Sequence, residues 1–333
     1  MSRALALFMF LAISSLFSVV LLPQMTHAQT TGADPLTLDA SPQYPAPYQP
    51  VVITPSSSVF DIANSTITIK VNGKAFYEGT GGQAVSVPMG GPGSVTDVEV
   101  TISGDGQSPD TKDLVFHPSS VALVVEPVTS THPFYEGASL VTSEGRVRIV
   151  AMPDLRTTSN KILDPSTLTY TWSLGDQELD SDSGVGKSVL DASAPQEYRD
   201  ADVSVVVSSP DGNEIAEADT TISPTTPVTL IYKNDPLLGP LYDNALSNSV
   251  TMTDPEDTYR GVPYYFSDTP EVTWEVNGTP SATTDDITVR SSGTGTGTAL
   301  LQFSAADSAT DLSTDSTLSV NFGQTSSGGI LGL

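Results

Sequence analysis

Cysteine is absent from the 333 residues, so no disulfide, thiolate ligand or thiol nucleophile is available. Histidine is nearly absent: after His27 the chain has His117 and His132, each followed by proline, too few for a His-built metal centre. Basic residues are scarce, 13 Lys and Arg against 39 Asp and Glu, a formal charge of −26. That field repels nucleic acid and anionic lipid and keeps an exported chain soluble. Amphipathic 3.6-residue periodicity does not occur either. Thr, Ser, Val, Gly and Pro dominate and alternation recurs throughout, which is an all-β composition.

The one long apolar run is Ala4 to Leu22, preceded by Arg3 and followed by Thr26-His27-Ala28 with small residues at the −3 and −1 positions of a cleavage site. Residues 1–28 therefore read as an export signal. At 19 residues the run could also span a bilayer as an uncleaved anchor, the one route by which this chain would touch a membrane. Pro23 and the polar stretch to Ala28 favour cleavage. The expected address is outside the cytoplasm: periplasm, cell surface or medium.

Beyond the signal the chain repeats itself. Thr68-Ile69-Lys70-Val71-Asn72-Gly73, Thr171-Trp172-Ser173-Leu174-Gly175 and Thr273-Trp274-Glu275-Val276-Asn277-Gly278 lie 103 and 102 residues apart, measured from Ile69 to Trp172 to Trp274. Each is a one-sided strand ending in a tight turn, and a period near 100 is that of tandem immunoglobulin-like sandwiches. The expected order is a sandwich over residues 36–117, a second over 121–223, a third over 228–322 and a Gly/Ser tail over 323–333. Proline closes what reads as the second strand of each repeat, Val52–Pro55, Ile149–Pro153 and Val250–Pro255. Pro133-Phe134-Tyr135-Glu136-Gly137-Ala138 and Pro240-Leu241-Tyr242-Asp243-Asn244-Ala245 are also in register. Without disulfides each sandwich depends on its own core, with Ile69, Trp172 and Trp274 at equivalent central positions.

Tyr170-Thr171-Trp172-Ser173-Leu174-Gly175-Asp176 resembles the Tyr-x-Trp-x-Phe-Gly-Asp strand of PKD-type sandwiches in bacterial surface proteins. The third copy is similar only through Thr273–Gly278, and the first has Ile69 in place of the tryptophan. The set is similar to exported multi-domain Ig-like proteins of bacteria. The resemblance implies adhesion, spacing or glycan contact at a surface, and no catalytic residues.

Candidate sites are few. No Gly-x-Ser-x-Gly elbow accompanies the two histidines, which argues against a serine hydrolase. Gly184-Val185-Gly186-Lys187-Ser188 imitates the end of a phosphate loop but has Ser181 where the first glycine belongs, and reads as a turn. Asp176, Glu178, Asp180 and Asp182 alternate, which on an extended segment puts four carboxylates on one side and suits calcium. Counted as a calcium loop from Glu178, positions six and twelve are Ser183 and Val189, where Gly and Glu are wanted, so binding would be weak. The plainer reading is a solvated acidic edge. Tyr259, Tyr264, Tyr265 and Phe266 cluster in the third repeat and could form a flat platform for sugars, or a loop folded over the end of the sandwich.

The sequence thus reads as a non-enzymatic, exported structural or adhesive protein, with a cell-surface glycan or protein as partner. The alternative is a binding module working through the aromatic loops of the third repeat. If the signal is cleaved after Ala28, N-terminal sequencing of the exported protein will begin at Gln29. A membrane-bound form starting at Met1 would instead make Ala4 to Leu22 an anchor.

Overall fold

A computed structural model describes residues 34–104, 106–133, 135–291 and 295–323. Residues 1–28, read above as an export signal, and the tail beyond Gly323 lie outside the described residues. Strand is almost the only regular structure. The one helical turn among the described residues is a single 3-10 turn at Pro165–Thr167, capped by Asp164. No helix among them is long and apolar enough to cross a membrane.

Six sheets pack in three pairs. The first pair comprises β1 (Thr37–Ser41), β2 (Val51–Ser56), β3 (Thr66–Val71), β4 (Lys74–Thr80), β5 (Val85–Val87), β6 (Thr96–Ser103) and β7 (Asp110–Phe116), ordered β1-β2-β5 and β4-β3-β6-β7. Ile53, Ile69, Val87 and Val100 meet between them. The second pair has β8 (Ser120–Pro127), β9 (Arg146–Asp154), β10 (Thr169–Leu174), β11 (Gln177–Glu178), β12 (Gly184–Val185), β13 (Val189–Ser193), β14 (Ala201–Ser208) and β15 (Ile215–Ile222). Its sheets run β8-β9-β13 and β11-β10-β14-β15, with β12 also on β10.

The third pair has β16 (Val228–Asp235), β17 (Gly239–Leu246), β18 (Asn248–Thr251), β19 (Glu256–Tyr264), β20 (Glu271–Val276), β21 (Thr279–Ala282), β22 (Asp286–Arg290), β23 (Gly297–Asp307) and β24 (Leu312–Phe322). They form β17-β16-β19-β22 and β18-β24-β23-β20-β21. All ladders are antiparallel except β18 on β24, which is parallel. The protein is an all-β chain of antiparallel sheets in immunoglobulin-like sandwiches.

Alternation sets the faces. Along β10, Tyr170 and Trp172 are buried while Thr169, Thr171 and Ser173 are only partly covered. Ile69, Trp172 and Trp274 are fully buried and stand opposite Val100, Val205 and Phe303 in the neighbouring strand. Both indoles meet their one polar need in the same way: Trp172 Nε1 donates to the Lys187 carbonyl at 2.9 Å, and Trp274 Nε1 to that of Asp285 at 3.2 Å.

Two Asn-Gly turns do more than reverse the chain. Asn72 and Gly73 have φ of 50° and 72°, Asn277 and Gly278 of 49° and 76°, the pair of left-handed residues that a two-residue hairpin needs. Each asparagine also clasps the next strand of its sheet. Asn72 N donates to Asp97 O at 2.8 Å while its Oδ1 accepts from Asp97 N at 3.0 Å. Asn277 does the same with Leu300, at 2.8 and 2.9 Å. The second sandwich keeps only Gly175 N on Asp202 O, because Gly175 has no side chain to return the bond.

One expectation fails in the third sandwich. The counterpart of β2 and β9 in its first sheet is β19, not Val250–Pro255, whose first residues belong to the parallel edge strand β18. Residues 239–251 are an added excursion that the other two sandwiches lack. Short alternating runs closed by proline look the same at a sheet's edge and at its centre, which is why the pattern misplaced this strand.

Removing the indole of Trp172 leaves a cavity among Tyr170, Leu168, Val205 and Val207. Trp172→Ala should cost about 3–5 kcal/mol and unfold the second core ahead of the others. Calorimetry will show this as a separate early transition, whereas a single unchanged transition would contradict it.

Candidate functional site

The aromatic residues of the third repeat are not a platform. Tyr259 lies wholly inside the core with Trp274 and Phe303. Tyr264 and Phe266 are also buried, and only Tyr265 is partly open. A sugar stacks on an exposed ring face, and three of these four rings offer none. Tyr264, Tyr265 and Phe266 serve instead in a joint, because β19 ends where the second and third sandwiches meet.

The joint begins with backbone. Tyr265 N donates to Ser130 O and Ser130 N to Phe266 O, both at 2.8 Å, so residues just after β8 pair with residues just after β19. Tyr265 adopts φ 66° to do so, a conformation that costs a non-glycine residue roughly 1 kcal/mol or more and persists only when neighbours enforce it. Arg146 adds a bond from its backbone N to Ser267 Oγ at 3.1 Å and an ion pair with Asp268 at 3.1 Å.

Rings from both sides then interlock. Tyr135 of the second repeat and Tyr265 share a hydroxyl–hydroxyl bond of 2.9 Å, and Tyr232 and Tyr264 one of 2.7 Å. His132 lies flat on Tyr242, centroids 4.1 Å apart and planes 8° apart, and meets Tyr135, Tyr232 and Tyr264 edge-on. Tyr135 and Tyr242, in register in the two repeats, converge on one cluster. Burial, followed by the bond with Tyr232, pushes the Tyr264 hydroxyl well above its usual range. The bond with Tyr135, then burial, raises Tyr265 to about 12. Tyr259 is raised as well, by burial first and then by the negative Asp257.

The acidic run is not one extended segment. Asp176 lies in the turn after β10 and Glu178 on β11, but the chain then bends, with Asp182 N and Ser183 N both donating to Leu179 O at 3.0 Å. That turn takes Asp180 and Asp182 out of the extended geometry that would have aligned four carboxylates. Among the described residues no three or more His or carboxylate groups gather closely enough to hold a metal ion.

The histidines part company. His132 belongs to the joint just described. His117 lies between the first and second sandwiches, its Nδ1 4.0 Å from Oε1 of the buried Glu214. Beside it a cleft of about 700 Å³ separates β1 from β7, with Leu38 and Tyr44 on one wall, Leu114 and Phe116 on the other, and Asn213 and Ile215 of the second sandwich at its end. Sequence reasoning missed this cleft, since nothing local marks two strands that fail to meet.

No protein-family model matches the chain, and no curated protein matches it in sequence. Among solved structures it is similar to three N-terminal domains of the outer capsid protein Hoc of bacteriophage RB49, at 14% identity over 88% of this chain and 100% of that one, TM-score 0.24. It is also similar to a Bacteroides ovatus protein of a mixed-linkage glucan utilization locus, solved with a heptasaccharide, at 13% identity over 88% and 72%, TM-score 0.20. A third is the central fibronectin-III array of RIM-binding protein, at 10% over 88% and 98%, TM-score 0.29. Superpositions this loose transfer no ligand and no partner.

The joint carries an alkaline signature. Tyr265 ionises near pH 10 when unfolded and near 12 when folded, so its contribution is intact below pH 10 and lost as the pH rises through 12. The melting temperature of the third sandwich should fall across that window. In Tyr265→Phe, which keeps the ring and removes the ionising group, the fall should be shallower. Equal slopes in the two proteins would show that the hydroxyl is not held.

Proposed function

We propose that this is an exported, non-enzymatic protein of a cell surface or its surroundings. Its sandwiches form a stiff array that holds surfaces apart and presents them for adhesion. The observation that carries this reading is the joint between the second and third sandwiches. Two backbone bonds, an ion pair and a cluster of six rings connect Ser130–Tyr135 and Arg146 to β16, β17 and the end of β19. A linker meant to swivel would be solvated and free of such contacts. The short connection Ser223–Pro227, with Thr225 N bonded to Val141 O at 2.8 Å, adds to the restraint.

The sequence of residues 1–28 supports export, and the acidic surface supports solubility there. A spacer needs shape and stiffness and no reactive group, which agrees with histidines engaged at two separate joints. Partners at the surface are a glycan or another protein. Nothing in the aromatic joint favours the glycan, since Tyr232 and Tyr264 are buried and the other four rings, half-buried, are packed on one another.

Stiffness can be measured directly, because a chain without cysteine accepts labels wherever cysteines are introduced. Spin labels at Glu217→Cys and Thr283→Cys should give one narrow distance distribution across the joint. Adding Tyr265→Ala and Arg146→Ala should broaden it severalfold while both cores stay folded. A broad distribution in the parent protein would exclude the spacer reading.

A further inference from the structure

The three sandwiches treat the same edge in three ways. In the third, β18 lies parallel to β24, pairing Asn248–Thr251 with Leu318–Asn321, and Val250 packs on the core. In the second, β8 itself packs against the corresponding strand β15. In the first, β1 and β7 stand apart and the cleft lies between them.

Register makes the comparison residue by residue. Ile69 and Trp274 occupy equivalent positions, so Val98 matches Leu301, and across the next ladder Leu114 matches Leu318. The stretch equivalent to Leu318–Asn321 is therefore Leu114–His117, the end of β7 and the residue after it, all of which line the cleft. Nearer the start of β7, Lys112 is paired with Asp34, so the chain's own lead covers that end.

The backbone of β7 is also prepared. Val115 stands opposite Asp97, whose N–H and C=O both go to Asn72 on the other side. The Val115–Asp97 pair is therefore the non-hydrogen-bonded kind, and the N–H and C=O of Val115 point into the cleft. Its counterpart Ser319 stands opposite Leu300, whose groups go to Asn277, and so presents its backbone to β18. Asn321, next but one, accepts from Met252 N at 2.8 Å. Its counterpart His117 already takes a 3.1 Å bond from Ser119 Oγ on its carbonyl, which leaves the second lone pair.

We infer that the cleft between β1 and β7 receives an extended segment of another polypeptide, added as a parallel strand on Leu114–His117 as β18 is added on Leu318–Asn321. Strand addition uses main-chain bonds for affinity and alternate side chains for specificity. Here the inward side chain is a β-branched apolar residue taking the place of Val250, over Leu38, Leu114 and Phe116. With a net charge of −26 and Asp39 at the cleft, the incoming segment is uncharged or basic. This inference does not rest on the spacer reading and would stand if the array proved flexible.

The probe is a synthetic peptide with the sequence of residues 246–253, Leu-Ser-Asn-Ser-Val-Thr-Met-Thr, with a lysine added at each end, mixed with the full-length protein. Binding should saturate, and hydrogen exchange at the Val115 amide should slow by about tenfold or more. Val115→Pro removes an outward N–H that bonds nothing in β6, so it should fold and melt like the parent yet lose the peptide. A peptide N-methylated at the valine keeps the side chains but not the donor, and should also fail, whether or not the proline variant folds. Three results would overturn the inference. One is no saturable binding. Another is binding that survives both the proline and N-methyl changes, or that a neutral oligosaccharide reproduces. The last is a concentration-dependent dimer that Val115→Pro abolishes, which would make the occupant a second copy.

Discussion

Everything in this chain depends on one strand position per sandwich being filled by a large side chain that faces both sheets at once. With no cysteine to link the sheets, the apolar contact at Ile69, Trp172 or Trp274 performs the work a disulfide performs in many extracellular sandwiches. The indoles can be buried there only because a loop carbonyl, from Lys187 or Asp285, comes within reach of the N–H. The loops after β12 and before β22 are thereby drawn down onto their cores, and the sandwich ends take their shape from that one bond. Ile69 needs no such partner, and no loop carbonyl need be held over it in the first sandwich.

The junction between the second and third sandwiches shows how neighbouring cores are tied together. Between the second and third cores, aromatic residues that would otherwise be read as a ligand surface are used to bury polar hydroxyls against each other. Tyrosine suits this place because its ring supplies apolar area while its hydroxyl must find a partner when covered. Tyr232 with Tyr264, and Tyr135 with Tyr265, satisfy that demand pairwise. The left-handed conformation of Tyr265 is the local cost of bringing its N–H to Ser130, and the bonds around it hold it there.

The first sandwich departs from the other two at its edge. An unpaired edge strand is normally protected by charge or twist, and β7 carries Asp110, Lys112 and Asp113 along its earlier half. Leu114–Phe116 carries none. The same asparagine that makes the β3–β4 turn also binds both backbone groups of Asp97, and so decides which residues of β7 face outward. A turn residue thus fixes the polarity of an edge two strands away.

The amino-acid sequence by itself determined what depends on near neighbours along the chain. Alternation at Tyr170 and Trp172, the Asn-Gly turns at 72–73 and 277–278, and the 103- and 102-residue spacing made the strand class and the central positions legible, because side-chain direction in a strand repeats every two residues. Only the tertiary structure decided what depends on which strands meet. Val250 read as the counterpart of the strands at Val52–Pro55 and Ile149–Pro153 and lies instead on an added edge strand, since its pairing partner Val320 lies far along the chain in β24. Asp180 and Asp182 looked aligned with Asp176 until a turn at Leu179 separated them. The sequence left Tyr264 and Phe266 open between a sugar platform and a covered end, because the residues that meet them, such as Ser130 and Tyr135, belong to another repeat. The cleft beside β7 has no signature at all, because a missing contact between two strands is a property of their packing and not of either sequence.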